Sequence, residues 1–99
     1  MYARVISGQV KPEKLDEFAR KWKETIKAGL QNESTRPSKI YLSADRSTGK
    51  IRTFGVLNQP PNEEAFNRTF GNFTSQVSDI LTERPTVETF EILDTIEFD

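Results

Sequence analysis

The chain has 99 residues, the length of one small domain, and its 14 basic and 15 acidic residues leave a net charge of −1. This balance provides neither a basic surface of the kind that binds nucleic acid nor an acidic tail. The chain has no cysteine and no histidine, which excludes disulfides, thiol chemistry and a Cys/His metal site.

The first half of the chain is predicted to form a strand, a helix and a second strand. Residues 2–10 are β-prone and end just before Pro12, which suits the first turn of a helix. Over 15–31, apolar residues recur every three or four positions with charged residues between them, which predicts an amphipathic helix. The polar stretch 32–38 then connects this helix to a short strand over 39–44.

The second half repeats the pattern after a hairpin. Residues 45–50 read as a hairpin loop with a glycine near its end, and residues 51–57 as the returning strand. Asn62 is a good N-cap for a second amphipathic helix, which is predicted to run to about Glu83 and to end at an Arg-Pro pair. The last strand is predicted over 86–98, long enough to overhang the sheet.

The order strand, helix, strand, strand, helix, strand predicts one ferredoxin-like α+β domain over 1–99. Such a domain has a four-stranded antiparallel sheet with both helices on one face. Large apolar residues nevertheless fall on both faces of the strands, for example Ile51 on one face and Phe54 on the other. We therefore expect the sheet of a second copy to cover the free face in a homodimer, with Phe54 and Phe90 at or beside the interface.

Four segments resemble one known family. They are MYARV at 1–5, VKPEKLDEF at 10–18, DRSTGK at 45–50 and PTVETFEI at 85–92. Together they resemble the antibiotic-biosynthesis-monooxygenase domain family, a branch of the dimeric α/β-barrel proteins. The resemblance implies a barrel of two sheets packed across a dimer, with a pocket in each subunit between sheet and helices. It also implies oxygenation of a quinol-like aromatic compound with no metal or flavin cofactor.

Three positions differ from the family pattern in ways that bear on activity. Leu57 stands where the family often has a Trp, and Val5 stands where the haem-degrading branch has an Asn. The chain also lacks the His of that branch, so haem cleavage by its mechanism is not expected. Two functions stay open: a cofactor-free monooxygenase acting on a small aromatic or quinol-type compound, or a non-catalytic dimer that binds a small ligand or serves as an accessory protein.

Small strand residues beneath helix aromatics predict a pocket for a flat apolar ligand. The residues predicted to line it are Val5, Ser7, Trp22, Thr53, Gly55, Leu57, Phe66, Phe70 and Phe73. Tyr41 is the one candidate for a proton acceptor near the rim. The alternative is that the aromatic side chains fill this space as an ordinary packed core.

Arg4 and Arg52 are predicted to lie together on the face opposite the pocket, on neighbouring strands. Arginines in such positions commonly pair with carboxylates, for which Glu88 and Asp94 are available. The alternative is that the two arginines hold an anionic ligand within the barrel.

Nucleic-acid and membrane partners are not expected. RNA-recognition domains share this order of elements, but residues 52–57 match their RNP1 signature poorly and the net charge is −1. No segment approaches the roughly 18 apolar residues of a membrane span, and the first residues lack the pattern of a secretory signal. We therefore expect a cytoplasmic protein.

Overall fold

A computed structural model describes residues 1–99 and confirms the predicted order of elements. The strands and helices are β1 (Tyr2–Val10), α1 (Leu15–Leu30), β2 (Ile40–Ala44), β3 (Lys50–Leu57), α2 (Glu63–Gln76) and β4 (Leu81–Glu91). A single 3₁₀ turn over Pro12–Lys14 leads into α1. None of the helices combines the length and the apolar character that crossing a membrane requires.

The four strands form one antiparallel sheet in the order β2-β3-β1-β4. Helices α1 and α2 contact each other and pack on one face of this sheet, so the predicted ferredoxin-like α+β fold is confirmed. In the central pair, Arg4 lies opposite Gly55 and Val5 lies opposite Phe54. Residues directly opposite in an antiparallel pair share a face of the sheet, so this register decides which side chains meet the helices.

Local signals place the start of α2 and the β2–β3 hairpin as predicted. Asn62 Oδ1 accepts a hydrogen bond from the Ala65 amide at 3.1 Å, which caps the first turn of α2. Gly49 closes the hairpin with a φ of 81°, a left-handed conformation that favours glycine. The Gly49 amide donates to the Asp45 carbonyl at 2.8 Å and completes the turn.

The second helix is shorter than predicted. It ends at Gln76 rather than near Glu83, and β4 begins at Leu81. The apolar spacing that suggested more helix instead belongs to a turn, in which Val77 and Ile80 are fully buried. The Ile80 amide donates to the Val77 carbonyl at 2.9 Å, so the turn keeps a helical spacing without continuing the helix.

The last strand is displaced towards the N-terminus relative to the prediction. Pro85 lies inside β4, where it was expected to end a helix, and residues 92–99 have no regular structure. Proline is tolerated because β4 is an edge strand and bulges there: between Ser7 and Gln9 of β1, the paired residues of β4 advance from Thr86 to Glu83.

The packed core occupies one end of the space between sheet and helices. Seven buried residues form it: Val10, Leu15, Phe18, Ile51, Phe73, Val77 and Ile80. The rings of Phe18 and Phe73 meet edge to face, with centroids 5.2 Å apart. The end of the sheet that carries Arg4 and Gly55 contributes nothing to this cluster.

The two faces of the sheet are assigned by β3, which alternates strictly. Thr53 and Gly55 are buried on the helix side, whereas Phe54 and Val56 are exposed on the free face. The β1 register then places Arg4 on the helix side. The predicted orientation of β1 was therefore wrong by one residue, because an arginine is rarely expected on a buried face.

Candidate functional site

A cavity of about 90 Å³ lies between the sheet and the helices, at the end away from the packed core. The helix-facing residues of the two central strands form its floor: Arg4, Ile6, Thr53, Gly55 and Leu57. The space between the sheet and the helices is therefore divided: packed side chains fill one end, and a cavity lies at the other. A volume of this kind exceeds the roughly 15 Å³ needed for one water several-fold.

Aromatic and aliphatic side chains of both helices form the roof. Trp22 and Ile26 reach the cavity from α1, and Phe66 and Phe70 reach it from α2. The rings of Phe66 and Phe70 are stacked, with centroids 5.3 Å apart and an angle of 15° between their planes. The cavity wall is therefore flat and apolar on the α2 side, which suits a planar ligand.

Gly55 keeps the floor open. A Cβ atom at this position would lie 3.3 Å from Pro37 Cγ and 3.7 Å from Ile40 Cγ1, both of which also line the cavity. The φ of Gly55 is not positive, so the backbone itself would accept a larger residue. Any longer side chain would have to enter the cavity or displace the segment that contains Pro37.

Six of the nine residues predicted to line a pocket do line this cavity: Trp22, Thr53, Gly55, Leu57, Phe66 and Phe70. Val5 and Ser7 do not, because the register of β1 turns them to the free face, where the Ser7 hydroxyl accepts a hydrogen bond from Arg52 Nε at 3.2 Å. Phe73 belongs to the packed core.

Tyr41 was also misplaced by the sequence-based prediction. It lies on β2 directly opposite Phe54, and it therefore points to the free face of the sheet, with 61% of its surface exposed. Tyr41 is consequently on the other side of the sheet from the cavity. It is not in a position to exchange protons with a molecule bound there.

The residue that the prediction missed is Arg4. Its side chain is 9% exposed, and its Nη2 forms an ion pair with Glu63 Oε1 at the start of α2, not with Glu88 or Asp94. Its guanidinium carbon lies 4.2 Å from the centroid of the Phe66 ring. One signal in the sequence could have assigned this face to the helices: Ile6 and Val10, both large and apolar, share the parity of Arg4 in β1.

Charged residues of the α1–β2 connection surround the mouth of the cavity. Glu33 and Arg36 are among its lining residues. Glu33 pairs with Arg68 of α2 at 3.5 Å, and Arg36 Nη1 donates to the Glu33 carbonyl at 3.1 Å. Beside the mouth runs an open groove of about 580 Å³, which shares Trp22, Ile26, Leu30, Arg36, Pro37 and Ile40 with the cavity.

Several solved structures share this fold. A monooxygenase from Streptomyces coelicolor, solved in complex with nanaomycin D, has a TM-score of 0.75 and 11% identity over 99% of this chain and 92% of its own. A protein of unknown function from Nitrosomonas europaea has a TM-score of 0.73 and 13% identity, over 99% of this chain and 94% of its own. A structure named antibiotic biosynthesis monooxygenase has a TM-score of 0.69 and 15% identity, over 95% and 100%.

These likenesses confirm the predicted resemblance at the level of the fold. No family model built from sequences matches the chain, and no curated protein is significantly similar to it. Because identities of 11–15% establish only the fold, the activity must be argued from the residues of the cavity.

Proposed function

We propose that this protein binds a small aromatic or quinol-type compound in the cavity and oxygenates it without a metal or flavin cofactor. The observation that supports this most directly is the apolar cavity with a flat aromatic wall, in the fold of a monooxygenase solved with nanaomycin D. The open groove beside the mouth gives room for the part of a ligand that a 90 Å³ cavity does not enclose.

In this proposal the substrate is its own reductant. A methylene carbon between two aromatic rings loses two hydrogen atoms and gains one oxygen atom of O₂, while the second oxygen atom leaves with both hydrogens as water. The protein orients the substrate, excludes water and accepts a proton as the substrate ionises. Because Tyr41 lies on the other face, we assign the proton acceptor to Glu33, the carboxylate that lines the cavity.

The second candidate function is binding of the same class of ligand without turnover. Two observations favour it. Tyr41 is outside the cavity, and the Glu33 carboxylate is already engaged with Arg68. A carboxylate that is occupied by an ion pair is less available to a bound ligand.

Oxygen uptake distinguishes the two candidates. Anthrone, which carries the methylene carbon that this reaction oxidises, would be incubated with the protein in an oxygen electrode, and the rate of uptake compared with autoxidation in buffer. 1,4-Naphthohydroquinone, which O₂ converts to quinone and hydrogen peroxide without inserting oxygen, would serve as a second probe of binding. We expect a faster rate that Gly55→Leu abolishes, since a leucine there would occupy the cavity. Binding of either compound with no uptake above autoxidation would support the second candidate, and no binding at all would contradict both.

Glu33→Gln tests the assigned proton acceptor. The variant keeps the size of the side chain and removes its basic group, so we expect kcat to fall about 100-fold with little change in substrate affinity. Glu24→Gln, on the exposed surface of α1, is the matched control and should leave kcat unchanged. An unchanged kcat in Glu33→Gln would remove Glu33 from the mechanism.

We further propose that the protein functions as a homodimer built on the free face of the sheet. Tyr41, Phe54, Val56 and Phe90 are exposed there, between 42% and 61%. Beyond β4, residues 92–99 also carry exposed apolar side chains. Contiguous apolar surface of this kind is characteristic of protein interfaces, and a second copy offers a matching surface through a twofold axis.

A further inference from the structure

Arg4 has more hydrogen-bonding capacity than the protein satisfies. Its Nη2 is paired with Glu63, but Nε and Nη1 are buried and have no hydrogen-bond partner. Because a guanidinium has five N–H donors, most of those on Arg4 lack an acceptor. Buried donors are nearly always satisfied in folded proteins, so an unsatisfied pair within a cavity lining points to an acceptor supplied by a ligand.

The surroundings of Arg4 hold the guanidinium in place. The Phe66 ring covers it at 4.2 Å, and Glu63 fixes Nη2 at the start of α2. Gly55, directly opposite in β3, has no side chain that could approach the guanidinium. An arginine fixed in this manner presents its remaining donors as a preformed fork, a geometry that matches two oxygen atoms or one oxyanion.

We infer that Arg4 binds a negatively charged oxygen group of the ligand, a carboxylate or an ionised phenol or enol, at the floor of the cavity. The inference rests on the proposed function, because it places that oxygen on a flat aromatic compound lying against Phe66 and Phe70. The ligand class is therefore narrowed from apolar aromatic compounds to aromatic compounds that carry an oxyanion.

Glu63 reduces the positive electrostatic potential that Arg4 presents to a ligand in the cavity. It is 60% exposed and pairs with a guanidinium that is only 9% exposed, so it partly neutralises Arg4 from the solvent side. Removing its charge while keeping an oxygen acceptor should leave Arg4 in place and strengthen its attraction for an anion. Glu63→Gln and a neutral replacement of Arg4 are thus expected to act in opposite directions.

The test compares 2-naphthoate with its neutral analogue 2-naphthamide, followed by the indole N–H signal of Trp22, the one tryptophan in the chain and part of the cavity. For the wild-type protein we expect 2-naphthoate to bind about tenfold more tightly, as charge-assisted hydrogen bonds of this kind imply. The affinity of 2-naphthol, measured at pH values above and below its own pKa, shows whether an ionised phenol binds more tightly than the carboxylate of 2-naphthoate.

Arg4→Gln should bring the two affinities within about twofold of each other, whereas Arg52→Gln, on the free face, should leave the preference intact. Glu63→Gln should tighten 2-naphthoate several-fold and leave 2-naphthamide unchanged, which keeps the test decisive even if Arg4→Gln does not fold. Equal binding of the two probes by the wild-type protein would overturn the role of Arg4 alone. Binding of neither probe would contradict the proposed function as well.

Discussion

Gly49 shows how a single residue of the β2–β3 hairpin joins that hairpin to the end of β1. Gly49 combines a φ of 81° with a backbone carbonyl of Val10 so near that a Cβ would overlap its oxygen. The same residue accepts a hydrogen bond from the Val10 amide at 2.9 Å, which joins the hairpin to the end of β1. The hairpin and the packed core are therefore coupled through this one glycine.

Gly49→Ala should lower the free energy of unfolding by about 2 kcal/mol or more, because both the left-handed backbone and the Val10 contact oppose a side chain. Urea denaturation would measure the change. Gly8→Ala is the matched control in β1, since its Cβ would meet only ordinary contacts of 3.6–3.7 Å. Equal stability of Gly49→Ala and wild type would show that the hairpin can relax.

Asp45 predicts a pH dependence at the same hairpin. Its Oδ1 accepts hydrogen bonds from the Ser47 hydroxyl at 2.6 Å and the Ser47 amide at 2.9 Å, and these lower the pKa of the Asp45 carboxyl from its usual 3.8. Because folding lowers this pKa, the ionised carboxylate stabilises the native state above pH 3.8. This stabilisation is lost as the pH falls through the pKa of Asp45 in the folded protein.

The Asp45→Asn variant should consequently be less stable than wild type at pH 6, and the difference should shrink as the pH falls below 3.8. Urea midpoints of the two proteins at pH 6, 5 and 3 would measure it. The comparison between two proteins at each pH removes the effects of the other carboxylates. A gap that is constant across this range would show that the hydrogen bonds do not depend on the charge.

At the scale of whole elements, the two helices approach each other closely where α1 ends. A Cβ on Gly29 would lie 2.6 Å from Thr69 Cγ2 and 2.7 Å from Thr69 Oγ1. Thr69 is buried and also lines the cavity, so the spacing of the helices and the width of the cavity are set at the same point. Gly29 is thus required by packing, despite its low helix propensity.

Gly29→Ala is expected to destabilise the protein by about 1–3 kcal/mol through this overlap, although alanine is the better helix former. Gly71→Ala is the matched control: it also lies within a helix, but nothing lies within 4 Å of its Cβ, and it should stabilise by up to about 1 kcal/mol. Thermal or urea denaturation would measure the change in the free energy of unfolding for each variant. A stabilising Gly29→Ala would contradict the prediction and show that the two helices can move apart at little cost.

Sequence reasoning succeeded for elements whose signals are local and failed where the answer depends on pairing between strands. The cap at Asn62 and the amphipathic pattern of α1 each lie within one element. The facing of β1 does not, because Arg4 and Val5 could each have pointed to the helices until the register with Gly55 was known. For the same reason most of the cavity roof was predicted, whereas its most polar floor residue, Arg4, was not.

The prediction of where α2 ends was wrong for a related reason. Val77 and Ile80 continue the spacing of a helix, and only the packing of the whole chain distinguishes a buried turn from another helical turn. Pro85 was interpreted as a helix terminator, since nothing in the sequence reveals that the last strand begins before it, at Leu81, and bulges there.

On the scale of the whole molecule, the sheet separates two surfaces of different character. The helix side holds the packed core and the cavity, while the free side exposes apolar residues from three strands, among them Tyr41, Phe54 and Phe90. The mass of one chain is 11.3 kDa, and a chain of this size buries a smaller fraction of its surface on folding than a larger domain does. The proposed dimer would remove this apolar surface from water.

Phe54→Lys tests the dimer, because it places a charge in the middle of the free face. We expect the wild-type protein to have twice the 11.3 kDa mass in light scattering at micromolar concentration, and the variant to have the mass of one chain or to aggregate. Asn72→Lys, which adds the same charge to the exposed side of α2, should remain dimeric. A dimeric Phe54→Lys protein would place the interface elsewhere.

Alternate residues of β1 face opposite sides of the sheet, and this constrains how the sequence can vary in evolution. Arg4 and Val5 are adjacent in sequence, yet one belongs to the cavity and the other to the free face. Under the proposed function and the proposed dimer, a substitution of Arg4 would act on ligand binding, and a substitution of Val5 on self-association. Inserting or deleting one residue within β1, after Val5, would reverse the faces of the residues before it, so the guanidinium would move to the free face and the valine into the cavity. We expect β1 to vary in composition and to be conserved in length.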